Sequence, residues 1–469
     1  MFNPELSPPE VMPSMYGPKI RETRSSDLPD MAAISMRDLF PEIKQGFSHK
    51  EGIDDIRKIA EKELSIVNMD KIKPGDKVNI LCSEHGFSLL EGLHYREMLK
   101  TVGKVVRERT GCNNIRYRLA SGMGIREAKE IIEYFDLKNY LNASITPMRP
   151  FDKGVPIETE IGTFYGLAKA YDGDWIIHAF HDEPRDLYFH RMLNRTLKPF
   201  VMNYARYETR AVFHSNFTNR NSNFVQKAIF DSPLVQSKFV FGCILTSTPD
   251  GITGVDADND MYRLDRRIAK DLLNNYGRVL RLISEIDDCI AVWDGGRWGY
   301  YLHAGGIVFG CLENGKYDPF DLDVPSAMGI DKMVEKYLSG ESESLDQMMD
   351  LNPAIKAIVV NQAWAGLPTD IPVHIPTVVV GHDQAEFLNR TSANPTFMES
   401  AVVSETLIDA VDFALKIAGT DKIISFDDSF GSITANTSMA KYLMEKAPEV
   451  SKQVDDHYLP LWLKQRGME

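Results

Sequence analysis

The chain has 469 residues, 43% of them hydrophobic and 26% charged, with a formal net charge of -14. That length exceeds what one hydrophobic core usually serves, so two α/β domains are expected, and the acidic balance argues against nucleic acid or an anionic membrane surface as the main partner. No apolar run is long enough for a transmembrane helix and the Pro-rich opening MFNPELSPPEVMPSMYGP lacks a basic-then-apolar leader pattern, so a cytoplasmic protein is expected.

Residues 1–45 read as an extended arm of little periodicity, lying on the surface or on a partner subunit, which leaves a homo-oligomer open. In DDIRKIAEKELSIV (54–67), Ile56, Ile59, Ala60, Leu64 and Val67 have helical spacing. Pro74-Gly75-Asp76 is a turn into a buried strand at 78–82, and Ser83, Glu84, His85 and Gly86 follow at its end. A helix over 88–109 leads to a second strand at 114–120, which ends in Ser121-Gly122-Met123-Gly124, with Arg126 opening the next helix. Strand, polar or Gly-rich loop and helix, twice over, predict a mainly parallel sheet with right-handed crossovers. The loop SGMG is too short for a dinucleotide fingerprint. Gly122 and Gly124 therefore serve either a backbone turn or direct contact with a ligand.

ASITP and KGVPIETEIG come next, then FYGLAKAYD, read as a helix, and a strand WIIH. Beyond residue 214, SKFVFGCILTST (237–248) reads as a strand and DGITGVDADND as a loop. The latter is no calcium loop, since the glycine and the final glutamate of that motif are absent and Arg267 stands at the twelfth place. A long helix YRLDRRIAKDLLNNYGRVLRLISEI precedes a strand segment ending at His303-Ala304-Gly305-Gly306, and ENGKYDPFDLDVP is a linker that places a domain boundary near residue 325. The second domain, 326–469, is expected to carry a helix at 328–349, the strands AIKAIVVNQA, TVVVGHD and KIISFDDSFGS, a helix stopping at Gly419 and a helical close. The five cysteines are odd in number, widely spaced and without CxxC, which indicates neither a disulfide framework nor a zinc ribbon.

Residues 174–214 concentrate chemistry. Of 11 histidines, His178, His181, His190 and His214 fall here, with Lys198, Arg185, Arg191, Arg195, Arg206 and Arg210 and the acids Asp182, Glu183, Asp186 and Glu208. Loops after the ends of parallel strands carry chemistry, and imidazole acts as acid or base near neutrality. His178 and His181 are the candidate catalytic bases, with His190 behind them. Clustered arginines bind carboxylates bidentately. HxxH is too close for a helical zinc pair and no HExxH occurs. The competing reading is a solvated amphipathic helix with i,i+4 pairs such as Asp186 with His190.

Taken in order, KPGDKVNILCSE, LASGMGIR, GVPIETEIG…AKAYDGDWIIH, Lys198-Pro199 with His214 sixteen residues later, LHAGG and IVVNQAWAGLPTD resemble the motifs of the nickel-pincer lactate racemases and related 2-hydroxyacid racemases and epimerases, over roughly residues 70–375. The resemblance implies two α/β domains with mainly parallel sheets flanked by helices and an active-site cleft between them. It also implies an isomerase acting on a small-molecule hydroxy acid, a sugar-derived one included, through a nickel-pincer nucleotide bound at Lys198 with His214 as the nickel ligand. Gly122 and Gly124 would lie on the cofactor, and His85, Arg126, Arg185 and His303 on the substrate. The chain departs from the family at two strand ends. Glu84-His85-Gly86-Phe87 stands where the family has an arginine, and Met123-Gly124 where it has a histidine. A pincer-independent lyase or hydratase on the same scaffold, or an acid-binding protein without catalysis, stays open beside the racemase.

Overall fold

Short β-branched runs between long amphipathic segments dictate an α/β chain, and the computed structural model has two mainly parallel sheets flanked by helices. It describes residues 21–47, 51–88, 92–121, 127–182, 195–214, 221–295, 318, 320–323, 352–362, 371–391, 397–427 and 431–468. In chain order the strands are β1 (Met31–Ser35), β2 (Val78–Ser83), β3 (Ile115–Ala120), β4 (Ser144–Met148), β5 (Gly154–Thr159), β6 (Gly162–Leu167), β7 (Trp175–His181), β8 (Phe239–Thr248), β9 (Gly251–Asp258), β10 (Cys289–Asp294), β11 (Ile355–Gln362), β12 (Thr377–Val380), β13 (Val402–Ser404), β14 (Ile423–Phe426) and β15 (Ser432–Asn436).

One compact unit comprises residues 46–247 and 252–271. Its six-stranded sheet has the order β4-β3-β2-β7-β8-β9, with β4 through β8 mutually parallel. Every residue of β2 is buried, and a near-continuous apolar run is what a strand covered on both faces needs. The helix Ile53–Ser65 buries Ile56, Ala60 and Leu64, four residues apart, and so presents one apolar stripe. The helix Leu93–Thr110 buries Tyr95, Met98, Leu99, Val102 and Val106 in the same way and ends at Gly111, whose φ of 70° favours glycine.

The other unit comprises residues 1–45, 248–251 and 272–469. Its seven-stranded sheet runs β1-β15-β14-β10-β11-β12-β13, parallel from β14 to β13 and antiparallel where β15 joins β14 and β1 joins β15. Ile290, Val292, Ala357, Val359, Val378 and Val380 of its central strands pack with Leu407, Ala410 and Ala414 of the helix Leu407–Ala418, which stops at Gly419 with φ 66°.

Several local readings change. DGITGVDADND is β9 rather than a loop; its Gly and Asp content mimics a turn, but it supplies the edge strand beside β8. FYGLAKAYD is not one helix. Residues 162–167 form β6, antiparallel to β5, and only Ala168–Tyr171 is helical, because Thr163, Phe164 and Tyr165 suit a hairpin. The arm contains β1, held by β15. Residue 325, the expected boundary, lies outside the described residues, as do the expected helix at 328–349 and Cys311. The contacts group the arm and residues 272–294 with the C-terminal segments, since β1 completes the seven-stranded sheet and β10 lies in its middle. Among the described residues no helix is long and apolar enough to cross a membrane.

Candidate active site

The six-stranded sheet changes direction between β2 and β7. The chain leaves β2 toward β3 and β4 on one side, then returns through β7 to β8 on the other. Where such an order reverses, the crevice beyond the carboxyl ends of the strands is the usual ligand site of an open α/β sheet. Here Ser83 ends β2 and His181 ends β7.

His181 is buried, and its Nδ1 lies 2.7 Å from the Asp182 carbonyl oxygen. A carbonyl only accepts, so Nδ1 carries the proton and donates, which in the neutral ring leaves Nε2 as the basic nitrogen. Arg195 donates to the His181 carbonyl at 2.7 Å. Asp182 is fixed in turn by the end of β8, its carboxyl accepting from the Ser247 backbone N–H at 2.5 Å and from the Ser247 hydroxyl at 2.6 Å. Burial pushes the Asp182 carboxyl up to about 6, against the pull of Arg195 and the two Ser247 hydrogen bonds.

His178 has a different setting. It lies on the opposite face of β7, fully buried, with ring centroids 5.3 Å from Phe180, 5.4 Å from Phe200 and 5.7 Å from Tyr204. Its Nδ1 is 2.9 Å from the Tyr204 hydroxyl, and its Nε2 has no hydrogen-bond partner. Burial first, then the positive charge of Arg195, holds its pKa down at about 3. His178 is thus a neutral ring within an aromatic enclosure.

The segment 195–214 brings further polar groups to these strand ends. Thr196 is anchored by its N–H and hydroxyl to Asp265 at 2.7 and 2.8 Å. Lys198 opens the four-residue helix Lys198–Val201 and is only 6% exposed. Asn203 donates to the Ser83 hydroxyl at 3.4 Å, and Arg210 donates to the Ser121 carbonyl at the end of β3 and to the Ala205 carbonyl. Burial lowers Arg210 to about 10, while the nearby Glu84 opposes that shift. Among the described residues the buried cations here are Arg195, Lys198 and Arg210, and the buried carboxyls are Glu84, Asp182 and Asp265.

Of the remaining expected site residues, His85 is half-buried at the start of the four-residue helix His85–Ser88 that follows β2, its N–H donating to Ser83 Oγ at 3.1 Å. His214 ends the helix Tyr207–His214, and its side chain lies outside the described set. Gly122, Gly124, Arg126, Arg185 and His303 also lie outside the described residues. The structure adds Tyr204 and Ser247, which the sequence reading did not single out. Ser247 was findable, standing two residues beyond Leu245, the partner of His181 across the β7–β8 ladder. Tyr204 has no local signature.

Among the described residues no group of three or more His, Cys, Asp or Glu is arranged to hold a metal ion. Lys198, buried at these strand ends, is the described residue whose amine could hold a covalently attached group.

Fold and site together define an α/β protein with a cluster of buried polar and charged side chains at the switch point of its six-stranded sheet. Comparison of the sequence with models of known protein families and with curated proteins finds no match.

Proposed function

We propose that the chain is a lactate racemase-like isomerase that racemises or epimerises a 2-hydroxy acid in the crevice between β2 and β7. The observation that carries this reading is the fixed tautomer of His181, whose Nδ1–H donates to the Asp182 carbonyl and whose Nε2 is thereby the base. Arg195, Lys198 and Arg210, buried at the same strand ends, are the groups that would hold the substrate carboxylate. His181 Nε2 takes the proton of the 2-hydroxyl and returns it after C2 has been inverted. A nickel-pincer nucleotide held by Lys198, with His214 as the nickel ligand, would supply the hydride acceptor for C2. His178 acts behind this site by packing, since its aromatic enclosure keeps it neutral.

The test is to make the protein in cells that also make the pincer cofactor, measure intact mass and nickel on one sample, and assay small and sugar-derived 2-hydroxy acids for inversion. The expected result is a mass increase mapped to Lys198, bound nickel and turnover, with Lys198→Ala losing all of them. His181→Gln is expected to keep the adduct and lose about 100- to 10,000-fold in kcat. Full activity in Lys198→Ala would sink the pincer reading. Turnover with no adduct points instead to the pincer-independent lyase or hydratase, and tight acid binding with no turnover points to a binding protein.

A further inference from the structure

The seven-stranded sheet has a switch point of its own, and the chain's N-terminal segment fills it. From β10 the chain proceeds outward through β11, β12 and β13, then returns to place β14 on the other side of β10. The crevice beyond the ends of β10 and β14 is therefore the position where an open α/β sheet binds its ligand. Asp294, fully buried, ends β10, and Asp427 follows β14.

Residues 21–25 lie across this edge and bond to its strand ends. The Arg24 guanidinium donates from Nε to Asp294 Oδ2 at 3.0 Å, and one terminal nitrogen reaches the Asp294 and Asp427 carbonyl oxygens at 2.6 and 2.9 Å. It spans the ends of the two strands that flank the switch. Ser25 donates its backbone N–H and hydroxyl to Asp294 Oδ2 at 2.6 and 2.8 Å, and Asn361 donates to Asp294 Oδ1 at 2.7 Å. Arg21 adds bonds to the carbonyls of Asn361 and Val380 and an ion pair with Asp383.

The seat around Arg24 is all acceptors, one buried carboxylate and two strand-end carbonyls, and its geometry is that of a guanidinium site. The buried Asp294 carboxylate at this switch point receives Arg24 and Ser25 from a segment distant in sequence as well as Asn361 of β11, the arrangement of a cation seat filled by the chain itself. We infer that the crevice between β10 and β14 binds a small molecule bearing a guanidinium or primary amine, and that Arg24 is its intramolecular occupant, displaced when that ligand binds. The inference is independent of the reaction proposed for the other sheet.

Chemical rescue tests it on the full-length chain. In Arg24→Ala, millimolar methylguanidinium is expected to raise Tm saturably, by about 2–4 °C, with urea at the same concentration giving no rise. Arg24→Ala combined with Asp294→Asn is expected to lose the rescue. Should Arg24→Ala fail to fold, the wild-type chain answers by amide hydrogen exchange. The Ser25 N–H, held by Asp294, is expected to exchange faster as methylguanidinium or arginine is added, reaching a plateau. Absence of a saturable effect in the foldable chain, or rescue that survives Asp294→Asn, overturns the proposal.

Discussion

Two buried groups, one in β7 and one just beyond its end, have their pKa values shifted in opposite directions. His178 is held at about 3, so the folded state refuses a proton that the unfolded chain accepts below its ordinary 6.5. Its contribution to stability is present above 6.5 and is lost as pH falls toward 3, to the extent of at most about 5 kcal/mol. Asp182 is raised to about 6 from 3.8, so its contribution is present below 3.8 and is lost as pH rises through 6, by at most about 3 kcal/mol. Between pH 4 and 6 the two slopes oppose each other. Asp182→Asn keeps an acceptor for Ser247 and removes one titration, so its urea midpoint is expected to climb from pH 4 to 6 more steeply than that of the wild type. Parallel midpoint curves for the two proteins would show that Asp182 is not shifted. Both histidines were legible in the sequence as site candidates. The strand itself distinguishes them, since residues three apart on a strand face opposite sides. What the sequence could not supply was the environment of each face, which comes from Phe200 and Tyr204 on one side and from Arg195 on the strand end.

At the scale of elements, Gly103 shows how closely the helix Leu93–Thr110 approaches β3. A Cβ at this position would meet the Tyr117 hydroxyl, which donates to the Leu99 carbonyl at 2.9 Å. On helix propensity alone Gly103→Ala gains about 1 kcal/mol, but the lost space outweighs it, and a net destabilisation of about 1–3 kcal/mol is expected. Adding Tyr117→Phe removes the obstructing oxygen and is expected to recover part of the loss in thermal or urea unfolding. A Gly103→Ala chain more stable than wild type would contradict the packing described. The buried strands β2, β3, β7, β8, β10, β11, β12 and β14 were legible because continuous apolar runs have few other fates. β5 and β6 were harder, since a half-exposed hairpin alternates weakly and its aromatic residues also suit a helix. β9 and β15 were hidden by turn-like composition, SITAN and GITGVDAD being strands only because a neighbouring strand needs a partner.

For the whole molecule, the informative fact is which segments belong together. One unit draws on residues 46–247 and 252–271, and the other on both ends of the chain. A fragment spanning 46–271 contains the six-stranded sheet, its covering helices and the clasp of His181, Asp182, Arg195 and Ser247. It is expected to unfold cooperatively when expressed alone. Removal of residues 1–35 is expected to leave that unit's transition intact while lowering the other's, because β1 and the bonds of Arg21, Arg24 and Ser25 are lost. Limited proteolysis with mass mapping distinguishes the two, and a fragment 46–271 that is digested throughout would contradict this division. A cut near residue 325 follows from linker composition, whereas the pairing of β1 with β15 follows from a register that spans about 400 residues of sequence and leaves no local trace.

That pairing sets an order of events on the ribosome. Met31 is synthesised about 400 residues before its partner Asn436. At roughly 5–20 residues per second the delay is about 20–80 s. During that time β1 has no sheet to join and the Asp294 seat has no completed edge for Arg24 to close. The unit built from the middle of the chain can finish first, while the opening segment waits as an unpaired strand of the kind chaperones shield. Closure of the seven-stranded sheet therefore waits for β15, and a chain that stalls after residue 427 would hold one folded unit and one that is still open.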